Sequence, residues 1–261
     1  MSTFDISQTA RVPFARLVAV EMRKAVDTVA SFWLVASIVI LTVIIDGFVL
    51  LVTVIQSSAV ALGDFAYLSL LVTSLLLPIL GIMLVTSEWG QRTAMVTFSL
   101  EPRRTRVIWA KLTVGVALTL ATVVIAIVVG VLCTLVCEIA SPDQTTWDLA
   151  ARELTGYLIT QTLAMLGGFA LATLLLNTPA TIVLYFVYRF ALPGVLFVVS
   201  DLVDAFGKVS PYLNFSEAQG PLFDLTLNTG EEWAQLLVSG LIWLVLPLTL
   251  GIMRILRAEV K

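Results

Sequence analysis

Apolar residues fall into six long runs separated by short polar breaks: roughly Trp33–Ile55, Phe65–Thr86, Val107–Cys137, Gly156–Leu176, Ala180–Ser200 and Trp233–Leu256. A helix needs about 20 apolar residues to cross a bilayer, so each run predicts one span. Backbone groups cannot stay unpaired in lipid, which makes these runs helices. Barrel strands would alternate apolar and polar positions, and Val123–Val136 shows no such alternation. The third run exceeds one crossing, so its ends should project or the helix should tilt. Ahead of the first run, Phe14, Leu17, Val18, Met22, Ala25, Val26 and Val29 recur at helical spacing, with Arg16, Arg23, Lys24 and Asp27 mostly off that stripe. This predicts an amphipathic elbow helix within residues 10–30, lying on the membrane surface. No small-x-small cleavage site follows the first run, so it reads as a retained anchor.

Two segments between the runs are too apolar for solvated loops. Residues 87–106 read SEWGQRTAMVTFSLEPRRTR, with Met95, Val96 and Phe98 embedded among polar groups and an arginine cluster after Pro102. The arginines are explained by topology alone. The embedded apolar residues predict a short helix that lies on the membrane or docks into another protein. Residues 201–232 are broken by Gly207, Pro211, Gly220, Pro221 and Gly230, yet carry Leu202, Phe206, Tyr212, Phe215 and Phe223. They predict a pair of short re-entrant helices covered by protein or lining a cavity. Asn214-Phe215-Ser216 matches a three-residue glycosylation sequon, a weak signal.

Composition agrees with the pattern. The 261 residues are 59% hydrophobic and 13% charged, against about 25% charged in a soluble domain. A soluble domain and a disordered chain are excluded. The net charge of −3 without a long basic run argues against nucleic acid. Basic residues gather before the first run, after the second and after the sixth, while the opposite segments carry only Arg152 and Lys208. With an even number of spans, both termini are expected in the cytoplasm.

Candidate chemistry is sparse. There is no His, which removes the usual general base and the commonest zinc ligand. Cys133 and Cys137 sit four apart in an apolar run and read as packing residues. No phosphate-binding G-x-x-x-x-G-K-[ST], G-x-S-x-G, H-E-x-x-H or C-x-x-C motif occurs. Asp46 lies in the first run and Arg189 in the fifth, and charges inside a membrane are costly and often functional. Either they pair, or Asp46 faces a polar crevice and Arg189 snorkels.

Three stretches resemble the membrane subunit of an ABC-2-type transporter, a permease class that works with a separate ATPase. AVEMRKAVDTVASFW resembles the family's Glu-x-x-Lys approach to an aromatic start of the first span, here Glu21, Lys24, Thr28 and Trp33. EWGQRTAMVTFSLEPRRTRVIWAKL resembles its cytoplasmic loop, at Glu88, Arg92, Thr93, Phe98, Leu100, Pro102, Arg103 and Lys111. RILRAEVK resembles its basic–acidic ending, at Arg257 and Glu259, with Ala258-Glu259 where relatives often have Arg-Asp. The implied fold is one all-α polytopic domain over residues 1–261, with six transmembrane helices, the elbow helix, a cytoplasmic coupling helix and re-entrant outer helices before the last span.

The resemblance implies that Glu88, Trp89, Gln91, Arg92, Thr93, Met95 and Phe98, with Glu21 and Lys24, meet a cytoplasmic P-loop ATPase present in two copies. It implies a second permease chain, identical or related, with Asp46, Phe48, Tyr185, Tyr188 and Arg189 at the dimer interface or translocation path. The chain itself would be no enzyme and hold no cofactor, ATP and Mg belonging to the ATPase. Expected substrates are amphipathic: a drug, a peptide antibiotic or a lipid-like molecule. The expected setting is a bacterial inner or plasma membrane, with lipid around the spans. Two other classes remain open at this point, a non-transporting sensory or assembly subunit and an ion-coupled secondary carrier.

Overall fold

The computed structural model describes residues 12–258, and there proline, glycine and the polar breaks leave twelve helices and a short 3-10 turn at Pro142–Gln144. Helix α1 spans Phe14–Asp27, α2 Val29–Gln56, α3 Leu62–Gly90, α4 Ala94–Leu100, α5 Arg104–Ala140, α6 Ala151–Leu175 and α7 Thr178–Leu202. Four single turns follow: α8 (Asp204–Gly207), α9 (Ser210–Leu213), α10 (Phe215–Ala218) and α11 (Gly220–Phe223). The last helix, α12, spans Gly230–Arg257. Helices α2, α3, α5, α6, α7 and α12 are long and apolar enough to cross a membrane, one for each apolar run. The chain is therefore a polytopic helical membrane protein. Positions 10 and 11 of the elbow prediction, and Glu259 of the C-terminal pattern, lie outside the described residues.

The helices overrun their apolar cores, because the flanking polar residues still satisfy helical backbone. Two consequences matter. Glu88 and Trp89 belong to the last turn of α3 rather than to the loop where the sequence reading put them. Helix α5 holds 37 residues, which at about 1.5 Å each is roughly 55 Å, well beyond a hydrocarbon core of about 30 Å. Its length was expected from the third run.

Helices α3 and α6 form the centre. A side chain at Gly168 would strike the backbone of Pro78, and one at Gly81 the carbonyl of Met165. Small residues let the two backbones touch, the packing that drives association where lipid removes the hydrophobic gain. Phe169, Leu77, Ile82 and Met165 fill the adjoining core. Helices α2, α5, α7 and α12 surround this pair, and their outward faces are apolar.

Contacts define the two ends of the bundle. At one, Arg104 donates to the carbonyls of Ile255 (2.6 Å) and Ala258 (2.8 Å), and Arg106 to that of Val12 (2.7 Å). The start of α1, the α4–α5 junction and the end of α12 thus share a side. The guanidinium of Arg104 also caps the negative C-terminus of α12. At the other end, Val60–Ala61 pairs in parallel with Thr145–Thr146. We call these the basic and acidic ends, after their loop charges.

The segment between α7 and α12 holds four single turns rather than a pair of helices, since Gly and Pro recur too often for a second turn to form. It packs against the helix bundle. Phe215 is buried in the main core, and Trp243 of α12 donates to the carbonyl of Leu213 at 2.8 Å.

Candidate functional site

At the basic end, the predicted stripe of α1 is centred on a charge. Leu17, Glu21 and Ala25, four apart, are its buried residues, whereas Phe14 and Val26 are exposed. Glu21 is there because two lysines meet it. Lys111 of α5 lies 2.6 Å from Glu21 Oε2 and 3.2 Å from Glu88 Oε2. Lys24 lies 2.8 Å from Glu21 Oε1 and 2.7 Å from Glu88 Oε1. Thr97 of α4 donates to Glu88 Oε1 at 2.9 Å. Two carboxylates and two ammoniums alternate in a closed, neutral ring that ties α1, α3, α4 and α5 together.

A carboxylate in the last turn of a helix opposes the macrodipole. Burial adds a desolvation cost. Glu88 bears both, so its two lysines and Thr97 are what keep it there. Burial works against the charged form of Lys24, but its bonds and charge interactions with Glu21 and Glu88 outweigh this and hold its pKa above the usual 10.5.

The ring sorts the expected ATPase-facing residues. Glu21 and Glu88 are buried within the chain. Trp89 and Phe98 also turn inward, 6.3 Å apart, with the Arg104 guanidinium 5.0 Å from the Phe98 ring. Gln91, Arg92, Thr93 and Met95 are exposed. Val96 and Leu100, which lie on α4 beside Met95, are more exposed still, Leu100 at 78%. The free surface of α4 is therefore Met95, Val96 and Leu100, and the charged and aromatic residues behind it hold it in place.

The other predicted residues divide. Asp46 is fully buried between α2 and α3, where Ser69 Oγ donates to its Oδ2 at 3.0 Å and its Oδ1 has no partner among the described residues. Arg189 is on α7. Among the described residues the two form no ion pair, so each is accommodated separately. Phe48 is exposed on the outer face of α2.

Tyr185, Tyr188 and Arg189 do come together, on the wall of a cavity of about 130 Å³ towards the acidic end. Its position depends on two turns the sequence reading missed. In α7, Leu192 N–H donates to Val187 O, and in α12, Leu246 N–H donates to Leu241 O. These are i→i−5 bonds, each just before a proline, Pro193 and Pro247. A proline has no N–H and its ring crowds the preceding turn, which here widens into a π-turn. Each π-turn contributes one aromatic ring, and the two stack: Tyr188 on Trp243 at 4.4 Å, with Tyr185 edge-on to Tyr188 at 5.8 Å. The Leu-Pro pairs inside two apolar runs were the available signal. Gln161 and Ser216 also line this cavity, and both were missed.

No protein-family model matches the chain, and a search of curated proteins finds no match.

Proposed function

We propose that the chain is the membrane subunit of an ABC-2-type exporter, coupling ATP hydrolysis on a partner to movement of an amphipathic substrate. The reading rests on the sequence resemblance, with six membrane-length helices compatible with it. The observation that carries it is α4. This is a short helix at the basic end with an apolar outer face, fixed from behind by a buried charge ring to three other helices. The chain has no nucleotide-binding motif of its own, so energy must arrive as movement at a protein contact. A stiff element joined to α3 and α5 transmits such movement into the spans. In this reading the basic end and both termini face the cytoplasm. Two ATPase copies meet two permease chains, the second identical or related.

The test is purification of the chain from its native membrane in mild detergent. Recovery of a P-loop ATPase in equal copies supports the reading. Met95→Asp with Leu100→Asp, both exposed and free to mutate without disturbing the core, should abolish that recovery while the chain still inserts. Wild-type recovery in that double variant, or recovery of the chain alone across several detergents with nucleotide present, overturns it.

A further inference from the structure

The cavity near Arg189 is polar in a way the chain does not satisfy. Among the described residues Arg189 makes neither an ion pair nor a hydrogen bond, and no carboxylate lines the cavity. Gln161 is fully buried. Its Nε2 is used twice, donating to Thr73 Oγ1 at 2.5 Å and to the Leu70 carbonyl at 3.2 Å, yet its Oε1 has no partner. Ser216 Oγ is also buried, and although the Tyr188 hydroxyl lies nearby it makes no hydrogen bond within 3.5 Å. Two of the three unpartnered buried side-chain atoms among the described residues thus belong to residues lining one cavity, beside an uncompensated cation. Buried polar groups are normally satisfied, and Arg189, half-buried beside them, has no anion within reach among the described residues. One water needs about 10–15 Å³ of such space, so a cavity of about 130 Å³ holds a whole head group.

The unmet requirements are specific. Arg189 needs an anion, and a guanidinium fork suits phosphate oxygens. Ser216 has a donor to give. Gln161 Oε1 can only accept, so the ligand must bring its own O–H or N–H. Leu70, Leu163 and Phe223 supply an apolar wall beside these groups. We propose that this cavity binds the head of an anionic amphiphile, a phosphate ester that also carries a hydroxyl. Arg189 and Ser216 hold the phosphate oxygens, and the hydroxyl donates to Gln161 Oε1. The site does not rest on the exporter reading, because its binding is measured on this chain alone, with no ATPase present.

The experiment titrates the purified full chain in neutral detergent with tail-labelled phosphatidylglycerol, phosphatidylethanol (the same phosphate without a hydroxyl) and phosphatidylcholine. Phosphatidylglycerol should bind tightest. Loss of one hydrogen bond should weaken phosphatidylethanol about fivefold, and Arg189→Gln should weaken both anionic lipids more than about tenfold. Arg189→Lys should restore part of that loss. Gln161→Leu should erase the preference for phosphatidylglycerol over phosphatidylethanol, a readout that holds if Arg189→Gln does not fold. Glycerol 3-phosphate, the same head without tails, identifies the source. Much weaker binding than the lipid points to the membrane, and equal binding to the aqueous phase. Equal binding of all three lipids, wild-type affinity in Arg189→Gln and Arg189→Lys, or an unchanged preference in Gln161→Leu overturns the proposal.

Discussion

The basic-end ring and the acidic-end cavity each withdraw cations from water, fully at Lys111 and partly at Lys24 and Arg189, and they pair them in opposite ways. In the ring, each of two lysines meets two carboxylates, and among the described residues no side-chain atom of the four is left unpartnered. In the cavity, among the described residues, Arg189 has no anion, and Gln161 and Ser216 each keep an atom unused. A closed network fixes geometry and leaves nothing for a ligand. An open one carries an energetic debt that a ligand settles. The ring accordingly reads as the frame that sets α4 against the spans, and the cavity as a place for something to bind.

Removing a lysine from the ring tests this difference with the largest effect. Lys111→Met leaves two buried carboxylates with only Lys24, and breaking such a network typically costs about 3–5 kcal/mol. Thermal unfolding in detergent should show the loss. Adding Glu21→Gln restores the balance, since Glu88 and Lys24 then pair alone, and the double variant should recover much of it. A double variant as unstable as Lys111→Met would mean that shape rather than charge balance sustains the ring.

In the cavity the sign reverses. Arg189→Met removes a half-buried cation that has no partner among the described residues, so the ligand-free protein should unfold at equal or slightly higher temperature, by an equivalent of about 1 kcal/mol at most. Arg189→Met as damaging as Lys111→Met would show that Arg189 is satisfied after all and would close the gap between the two regions.

How far these regions were legible in the sequence follows from the range of the signals. The six spans were visible because apolar run length is a local property, and the excess length of α5 could be read directly from the third run. The break between α1 and α2 at Thr28 carried a local signal that the stripe through Val29 passed over: Thr28 is extended and its side chain accepts from Ser31 N–H, ordinary N-cap chemistry. The ring was not visible, since Glu21 and Lys111 are 90 positions apart and only packing brings them together. One clue was present. Glu21 sits four residues from both Leu17 and Ala25, in the middle of an apolar stripe, and a charge there needs a buried partner. Without that clue, Glu88 and Phe98 read as outward contacts, whereas Val96 and Leu100 form the exposed face. In the cavity, Tyr185, Tyr188 and Arg189 were marked by their own chemistry. Gln161 and Ser216 were hidden among polar neighbours of no special spacing, and the π-turns lay behind two Leu-Pro pairs.

Asp46 lies between the two cases, having one partner and one unused oxygen. Asp46→Asn keeps an acceptor for Ser69 and removes the charge from an apolar setting. Stability should stay the same or rise, by an equivalent of about 1 kcal/mol. Clear destabilisation would require an unseen cation near Asp46 and would align it with the ring.

The smallest effect separates the two lysines of the ring itself. Lys24 and Lys111 serve the same carboxylates, but the Lys24 side chain is 41% exposed and that of Lys111 only 8%. Water and salt can replace much of what Lys24 provides, so Lys24→Met at neutral pH should cost less than about 1 kcal/mol. The pKa of Lys24 is raised on folding. Its contribution is therefore complete below the ordinary value of 10.5 and is lost as pH rises through the higher folded value. Unfolding temperatures of wild type and Lys24→Met should keep a constant gap through neutral and mildly alkaline pH and converge only above that value. A gap that closes near neutrality would mean that Lys24 loses its proton there, and that the ring is held by Lys111 alone.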